Sequence, residues 1–303
     1  MSTVIVFGPT GRVGSVAART AHEHGAKVFL AMRDTQKPIP GLSAKEEQAG
    51  GFERVQADLT DPDSVAAAVE KSGARRAFIY CAFGKPDHMR STLRALKSSG
   101  IEFVVFLSSF TISSEPADVP PSELIAYVHA QVEISLDEVF GQENYVAVRP
   151  GAFATNTLRF KDAINAGEVK LFAPDFTFDL ITPIDMGRVS GTILVQGPRN
   201  NQRKVYLYGP KIFTHQEGIG AIAKVLGKEV KFSKINAQEE LDGHLQAGAP
   251  RPFAEYIVRI TGGPDKGRRA NYEEGVENVK LYTGKPATGF EEWVEANKEL
   301  YSV

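Results

Sequence analysis

The stretch TVIVFGPTGRVG, residues 3–14, decides the fold predicted for this chain. Its first five residues form an apolar run typical of a buried β-strand, and three glycines follow in a G-x-x-G-x-x-G pattern. Such glycines permit a tight turn, the approach of a pyrophosphate to the backbone, and close packing of the next helix, whose N–H groups face the anion. The residues predicted to bind a dinucleotide here are Gly8, Thr10, Gly11, Arg12, Val13 and Gly14.

Short apolar runs alternate with helical patterns through the first half of the chain, which is typical of a parallel sheet with crossover helices. The helix after the glycine turn is predicted to stop at Gly25, and Asp61 is predicted to cap a helix that begins at Pro62. These patterns predict an α/β fold with a doubly wound parallel-sheet Rossmann domain. Its predicted strands are Thr3–Phe7, Lys27–Met32, Phe52–Gln56, Ala77–Tyr80, Glu102–Leu107 and Tyr145–Arg149.

The regular alternation of apolar runs and helical patterns ends at Pro150, and the sequence after it predicts a smaller, mostly helical C-terminal lobe. Residues 177–185 are predicted to be irregular, with Asp185 as the cap of a helix through residues 186–193. We expect residues 1–152 and 178–209 to form the dinucleotide-binding domain, and residues 153–177 and 210–303 to form the substrate-binding lobe. The later predicted elements are a last strand at Val205–Tyr208, helices at Thr214–Leu226, Ala237–Ala247 and Pro252–Thr261, and a final helix with a capping box at Thr288.

Composition and charge narrow the classes of function. The 303 residues carry a formal net charge of -2, which gives no electrostatic case for nucleic acid or an anionic membrane as a partner. Cys81 is the sole cysteine, and no signal peptide or membrane span is predicted, so we expect a cytoplasmic protein. His22 and His24 lie two apart on a helix and cannot share a metal, so no metal site is expected. The basic loop Gly262–Arg269 is predicted to be a solvated connection rather than a contact for a protein partner.

The end of the second strand predicts which dinucleotide binds. A 2′-phosphate favours an arginine fork, whereas an NAD site uses a carboxylate on the ribose hydroxyls. Arg33 comes first after the strand, so NADP(H) is favoured, while Asp34 keeps NAD(H) open as the alternative. Seven further residues are assigned to the same crevice because they follow strands three to five: Asp58 and Leu59 beside the adenine, Cys81, Ala82 and Phe83 after the fourth strand, and Ser108 and Ser109 after the fifth. For Asp58 the alternative is a turn residue without a role in binding.

The chain resembles the NmrA-like branch of the atypical short-chain dehydrogenase/reductases over nearly its whole length. The resemblance rests on the glycine turn, the Met-Arg-Asp at 32–34, and the segments at 57–62, 106–109, 148–153, 183–186 and 290–293. It implies NADP(H) binding, with the nicotinamide near Phe83, Ser108, Pro150, Gly151 and Phe153. It also implies a substrate cleft between the lobes, and the residues predicted to line it are Phe83, Ser109, Phe153 and Asn156. Asp175 and Asp179 are further polar residues of the segment that is expected to cover the substrate.

One departure from that pattern bears on catalysis. Ordinary short-chain reductases use Tyr-x-x-x-Lys, where the lysine lowers the pKa of the tyrosine that donates the proton. No tyrosine here is followed by a lysine four residues on, and Gln131 stands where reducing members of the family carry Lys or His. A glutamine donates no proton at neutral pH. The candidate catalytic residues are therefore Tyr127, His129 and Gln131, of which at most one is expected to face the cleft. Glu133 is expected to anchor the same helix.

Two classes of function fit these residues. The first is an NADPH-dependent reductase of a small organic electrophile, such as an imine or iminium, an enone or a carbonyl, in specialised metabolism; its variant uses NADP(H) as a pocket wall for a cyclisation or rearrangement. The second is a redox sensor that binds NADP(H) without turnover and reports to a protein partner. The missing Tyr-Lys pair favours the sensor, and the aromatic residues after Pro150 favour an apolar substrate pocket or the core of the small lobe.

Overall fold

The computed structural model describes residues 2–265, 267 and 269–302, so Lys266 and Arg268 of the predicted basic loop lie outside the described residues. The first half contains β1 (Thr3–Phe7), α1 (Arg12–Glu23), β2 (Lys27–Met32), α2 (Ala44–Ala49), β3 (Glu53–Gln56), α3 (Pro62–Ser72), β4 (Arg76–Tyr80), α4 (Arg90–Ser98), β5 (Phe103–Leu107), α5 (Leu124–Phe140) and β6 (Tyr145–Pro150). The second half contains α6 (Lys161–Ala166), β7 (Glu168–Leu171), β8 (Thr177–Phe178), α7 (Pro183–Gln196), β9 (Lys204–Leu207), β10 (Phe213–Thr214), α8 (His215–Val225), β11 (Lys231–Lys234), α9 (Ala237–Gln246), α10 (Arg251–Gly262), α11 (Tyr272–Thr283) and α12 (Phe290–Ala296).

A seven-stranded parallel sheet forms the centre of the fold, in the order β3-β2-β1-β4-β5-β6-β9. Apolar residues alternate between its two faces and pack against helices on both sides. This confirms the predicted α/β doubly wound fold. The strand order reverses between β1 and β4, and in such sheets the ligand crevice opens at the carboxyl ends of the strands beside that reversal.

Close packing of α7 on α1 fixes the position of the helix that follows the glycine turn. Gly187 and Gly191 face α1, and a Cβ on Gly187 would lie 2.4 Å from Cβ of Val16. A Cβ on Gly191 would lie 2.6 Å from the carbonyl oxygen of Ala17. Because these approaches leave no room for a side chain, α1 is held rigidly against the sheet at the edge where the crevice opens.

Two predicted helix caps are wrong: a residue three positions earlier caps the first helix, and a long-range contact explains the second. The side chain of Thr182, not Asp185, caps α7 by accepting the N–H of Asp185. The buried carboxylate of Asp185 instead accepts the backbone N–H of Thr288 at 2.8 Å and its hydroxyl at 2.9 Å. Thr288 is therefore committed to Asp185, and α12 begins after Gly289 without a side-chain cap. A capping box is a local pattern, and here a tertiary partner competes for its hydroxyl.

The C-terminal part of the chain is divided between two cores. A separate cluster unites α6, β7, α8 and α12 through residues that include Ile164, Ile222 and Trp293. In contrast, α11 packs on the central sheet, where Val279 and Tyr282 join the first core. No sequence pattern predicts α11, and its residues fall within the predicted substrate lobe. The domain boundaries otherwise stay a prediction, and no helix among the described residues has the length and apolar character needed to cross a membrane.

Candidate functional site

The glycine turn connects β1 to α1 and leaves the start of the helix open. Gly8 has φ of +72°, and its N–H donates to Ala31 on the neighbouring strand. A Cβ on Gly14 would lie 2.3 Å from the carbonyl oxygen of Gly8, so this position has no room for a side chain. The first intrahelical bond runs from Ser15 N–H to the carbonyl of Gly11, and no side chain caps the helix. The N–H groups of the first turn, residues 12–14, are thus the unpaired donors of a helix N-terminus.

An open groove of about 390 Å³ lies at the other end of the crevice, beyond β2 and β3. Arg33 is exposed and lines it, together with Asp58, Asp61 and Ser64 among others. The carboxylate of Asp58 accepts the N–H and the hydroxyl of Thr60, and these bonds, with a smaller effect from the Arg33 charge, lower its pKa. Asp58 is therefore both a turn residue and a groove residue, which were the two alternatives left by the sequence.

Asp34 does not point into this groove as a free ribose acceptor. One of its carboxylate oxygens accepts the N–H of Gln36 at 2.9 Å, which forms a local turn. Leu59 is buried, so only its backbone is available to a ligand. Arg12 is exposed at the first helical position, where its side chain extends from the glycine turn.

The segment after β4 presents one aromatic ring to solvent. Phe83 is 62% exposed and contacts the ring of His129 edge-on, with centroids 5.6 Å apart. Cys81 and Ala82 are buried, and burial raises the pKa of the Cys81 thiol to about 12. This thiol is therefore a small buried hydrophobe at neutral pH rather than a nucleophile.

A buried ionic network ties the ends of β5 and β6 to α5. The Glu133 carboxylate accepts the hydroxyl of Ser108 at 2.5 Å and Nε and Nη2 of Arg149 at 3.0 and 2.5 Å. The Arg149 guanidinium also donates to the carbonyl of Ile112 and to the hydroxyl of Tyr206. Burial opposes the charge of Arg149, yet the bonds and charge of Glu133 raise its pKa overall. Glu133 therefore anchors α5, and Ser108 presents its backbone, not a free hydroxyl, to the crevice.

The three candidate catalytic residues of α5 have different surroundings. His129 is buried between the rings of Phe83 and Phe106, and its Nδ1 lies 2.7 Å from the carbonyl oxygen of Ile125. Because a carbonyl only accepts, Nδ1 carries the proton, and burial lowers the pKa of the ring. At neutral pH His129 is thus uncharged, with an unprotonated Nε2. This state can accept a proton but has none to donate from Nε2.

Tyr127 and Gln131 lie one turn apart on the same helix. Tyr127 is half-buried in a small cluster with Ile112 and Val119, and its ring meets that of His88 edge-on at 5.7 Å. Gln131 is half-buried, and within the described part of the chain its side chain makes no hydrogen bond. The structure brings His129 to Phe83, the most exposed aromatic ring of the crevice. The ring of Tyr127 instead packs against that of His88.

The segment after β6 is held by a second buried ion pair. Asp179, expected from the sequence to cover a substrate, instead accepts Nε of Arg269 at 2.7 Å and the N–H of Ala152 at 3.0 Å. A Cβ on Gly151 would lie 2.2 Å from this carboxylate, which explains the glycine at that position. Sequence reasoning missed the Arg269 contact because 90 residues separate the partners. Pro150 is buried, Phe153 is half-buried beside Ile181, Ser109 is buried and bonds to Thr111, and Asn156 is exposed.

Comparison with known proteins agrees with this architecture. The model of the NmrA-like family matches residues 1–294. A nitrogen metabolite regulation-like protein, bik4, from Gibberella fujikuroi is 37% identical over 99% of this chain and 98% of its own length. A (4-alkanoyl-5-oxo-2,5-dihydrofuran-3-yl)methyl phosphate reductase from Streptomyces griseus is 24% identical over 99% of both chains.

A solved structure shares the fold over its full length. The NADPH-dependent quinone oxidoreductase QOR2 of Escherichia coli, crystallised with NADPH, superimposes with a TM-score of 0.75 at 20% identity. The match covers 99% of this chain and 100% of that one. At this identity the likeness shows the fold.

Proposed function

Because this chain belongs to the NmrA-like family, we propose that it binds NADP(H) on the glycine turn and reduces a small organic electrophile. The observation that carries the proposal is the uncapped N-terminus of α1 above a turn in which Gly14 has no room for a Cβ. Backbone N–H groups at such a site bind a pyrophosphate. The proposed cofactor residues are those of residues 8–14, with Arg33, Asp58, Ala82, Phe83 and the backbone of Ser108, Pro150, Gly151 and Phe153.

The second half of the proposal concerns the type of dinucleotide. Arg33 is exposed in the groove, and a guanidinium fork suits a 2′-phosphate. Asp34 is engaged in its own turn, which argues against its acting as the ribose acceptor of an NAD site. Both observations favour NADP(H) over NAD(H).

The protonation states of the α5 side chains indicate which class of substrate this crevice would reduce. NADPH supplies a hydride when it is bound. His129 is uncharged with Nδ1 committed to Ile125, and Gln131 has no titrating proton, so α5 offers no strong acid in this region. An iminium or an activated alkene needs less help from a protein acid than a ketone does. We therefore propose such an electrophile, and the reductase from Streptomyces griseus, which is named for a substrate with a 2,5-dihydrofuran ring, supports this choice.

Calorimetry of NADP+, NADPH, NAD+ and NADH with the purified protein tests the cofactor assignment. We expect the phosphorylated pair to bind, and Arg33→Ala to lose about 1.5–3 kcal/mol of NADPH affinity, the value of a hydrogen bond to a charged group. Arg251→Ala on α10 is the matched control, because Arg251 is an exposed arginine outside the groove. If wild-type protein binds none of the four, the glycine turn holds no dinucleotide and the proposal fails.

Turnover is tested separately with imines, enones and quinones in the presence of NADPH. Gln131→Lys restores the residue that reducing relatives carry. If Gln131 is the reason for the preference, this variant gains reduction of a simple quinone while the wild-type activity on enones or iminium ions changes little. If Gln131→Lys gains no reductase activity with any carbonyl compound, position 131 does not determine which substrates are reduced.

The sensor remains a second candidate because specific contacts favour it. The hydroxyl of Ser108 donates to Glu133, and Nδ1 of His129 donates to the carbonyl of Ile125. These two polar groups of the crevice therefore have structural partners and are not free to act on a substrate. The relative at 37% identity is also named for regulation rather than for a reaction. A sensor prefers NADP+ or NADPH strongly and turns over no member of the substrate panel. A role in specialised metabolism and a cytoplasmic location stay predictions.

A further inference from the structure

Tyr80 is the last residue of β4 and lies where the crevice opens. The register of β4 on β1 pairs Val6 with Phe78, so Tyr80 comes level with Gly8. Residues 77–79 are fully buried, whereas Tyr80 is 38% exposed. A strand residue of the central sheet with this much exposed aromatic surface has an edge available to a ligand.

The ring of Tyr80 lies directly on the glycine turn. Its Cε1 is 2.7 Å and its Cδ1 3.2 Å from the position that a Cβ on Gly8 would occupy. Gly8 is thus required by its positive φ and also by the ring that covers it. The ring therefore belongs to the same surface as the backbone that would face a pyrophosphate.

The charges of two residues of the groove, Arg33 and Asp58, reach the phenol of Tyr80. Burial raises the pKa of Tyr80, and the charges of Arg33 and Asp58 act on it in opposite directions, which requires both to be near the phenol. In the described part of the chain no hydrogen bond engages this hydroxyl. The side chain therefore lies against the glycine turn, one proposed anion site, and within reach of the charges of the Arg33 groove, the other.

We propose that Tyr80 is a specificity-determining residue of the cofactor site, with its ring against the adenosine half of the dinucleotide and its hydroxyl donating to the 2′-phosphate that Arg33 binds. The inference rests on the proposed NADP(H) binding. An aromatic ring suits a nucleoside face, and a neutral donor beside an arginine suits a phosphate. Tyr80 would then add to the preference for NADP(H) over NAD(H), a role that its position inside a strand conceals in the sequence.

Two substitutions separate the ring from the hydroxyl. Binding of NADPH and NADH is measured by calorimetry for Tyr80→Phe, Tyr80→Ala and the control Phe253→Ala, whose exposed fraction of 39% matches that of Tyr80. Tyr80→Phe should weaken NADPH about tenfold and leave NADH unchanged, because only the hydroxyl is lost. Tyr80→Ala should weaken NADH on the order of tenfold, because the stacking surface is lost. It should weaken NADPH on the order of a hundredfold, because the hydroxyl is lost as well.

The outcomes are distinguishable from failure of the proposed function. Wild-type protein that binds neither dinucleotide overturns that function and this inference together. Wild-type binding of NADPH that is unchanged, or tightened, in Tyr80→Ala overturns this inference alone, and a tightening would mean that the ring obstructs the crevice. Equal loss of NADPH and NADH in Tyr80→Phe overturns the role of the hydroxyl at the 2′-phosphate. Thermal unfolding of each variant is recorded. If Tyr80→Ala is unstable, the test of the inference rests on Tyr80→Phe, which keeps the ring.

Discussion

Replacement of Glu133 by glutamine tests the buried network that holds α5 against the sheet. The side chains of Glu133 and Arg149 are each 1% exposed, and the carboxylate accepts three hydrogen bonds. Glutamine keeps the shape of the side chain but removes the charge that balances the guanidinium. The variant therefore leaves Arg149 as a buried cation without its anion.

The magnitude follows from that uncompensated charge. Removing one partner of a buried ion pair costs about 3–5 kcal/mol of the free energy of unfolding. At roughly 2 °C per kcal/mol for a chain of this size, the melting temperature should fall by about 6–10 °C. Calorimetry and urea unfolding followed by circular dichroism and by Trp293 fluorescence would measure both quantities.

Glu138→Gln provides the control on the same helix. Glu138 pairs with Arg90 at the surface, where both side chains are more than 40% exposed, and such pairs contribute about 1 kcal/mol or less. The double variant Glu133→Leu/Arg149→Met should cost less than Glu133→Gln alone, because it removes both charges. A loss for Glu133→Gln no greater than that for Glu138→Gln would refute the reasoning.

Three further predictions concern other parts of the molecule. His215 is buried among aromatic rings, and this burial lowers its pKa from 6.5 to about 4. Its uncharged form is the folded one, so about 3 kcal/mol of stability present above pH 6.5 should be lost as the pH falls toward 4, and His215→Leu should flatten that dependence in urea titrations. Gly14→Ala should abolish NADPH binding in calorimetry, because its Cβ collides with Gly8, whereas Gly11→Ala, with 3.3 Å to the same oxygen, should retain measurable binding. Asp179→Asn should lower the free energy of unfolding by about 3 kcal/mol and make the chain at Arg269 more sensitive to protease, and unchanged proteolysis would contradict the ion pair with Arg269.

The sheet could be predicted from the sequence because its strands are local signals. Each is a short apolar run, and the glycine turn between β1 and α1 fixes where the first crossover begins. The caps at Asp61 and Gly25 were confirmed for the same reason, since their partners lie within a few residues. A local sequence pattern was sufficient to predict a helix end wherever the hydrogen-bond partner of the capping group lies within a few residues of it.

Long-range partners account for what the sequence could not predict. Asp185 and Thr288 are 103 residues apart, and their bonds remove the capping box that the sequence pattern favours at Thr288. Asp179 was expected to face a substrate, and only the fold brings Arg269 to it. From the sequence Tyr80 is predicted only as a strand residue. The exposed fraction of a side chain at the carboxyl end of a strand depends on which strands lie beside it, and the sequence does not give that order.

The same contacts bear on how this crevice would act on a substrate. At the carboxyl edge of the sheet three polar side chains near the proposed nicotinamide position already have partners: Ser108 bonds to Glu133, His129 to Ile125, and Asp179 to Arg269. A group that is committed to a buried network is rigid, and its proton is not free to transfer without breaking that network. The protein would therefore contribute orientation and exclusion of water more than acid catalysis, which suits an electrophile that accepts a hydride before it needs a proton. On this argument the rate should depend weakly on pH between 6 and 8, and a steep fall above pH 7 would point to a protein acid that these contacts do not identify.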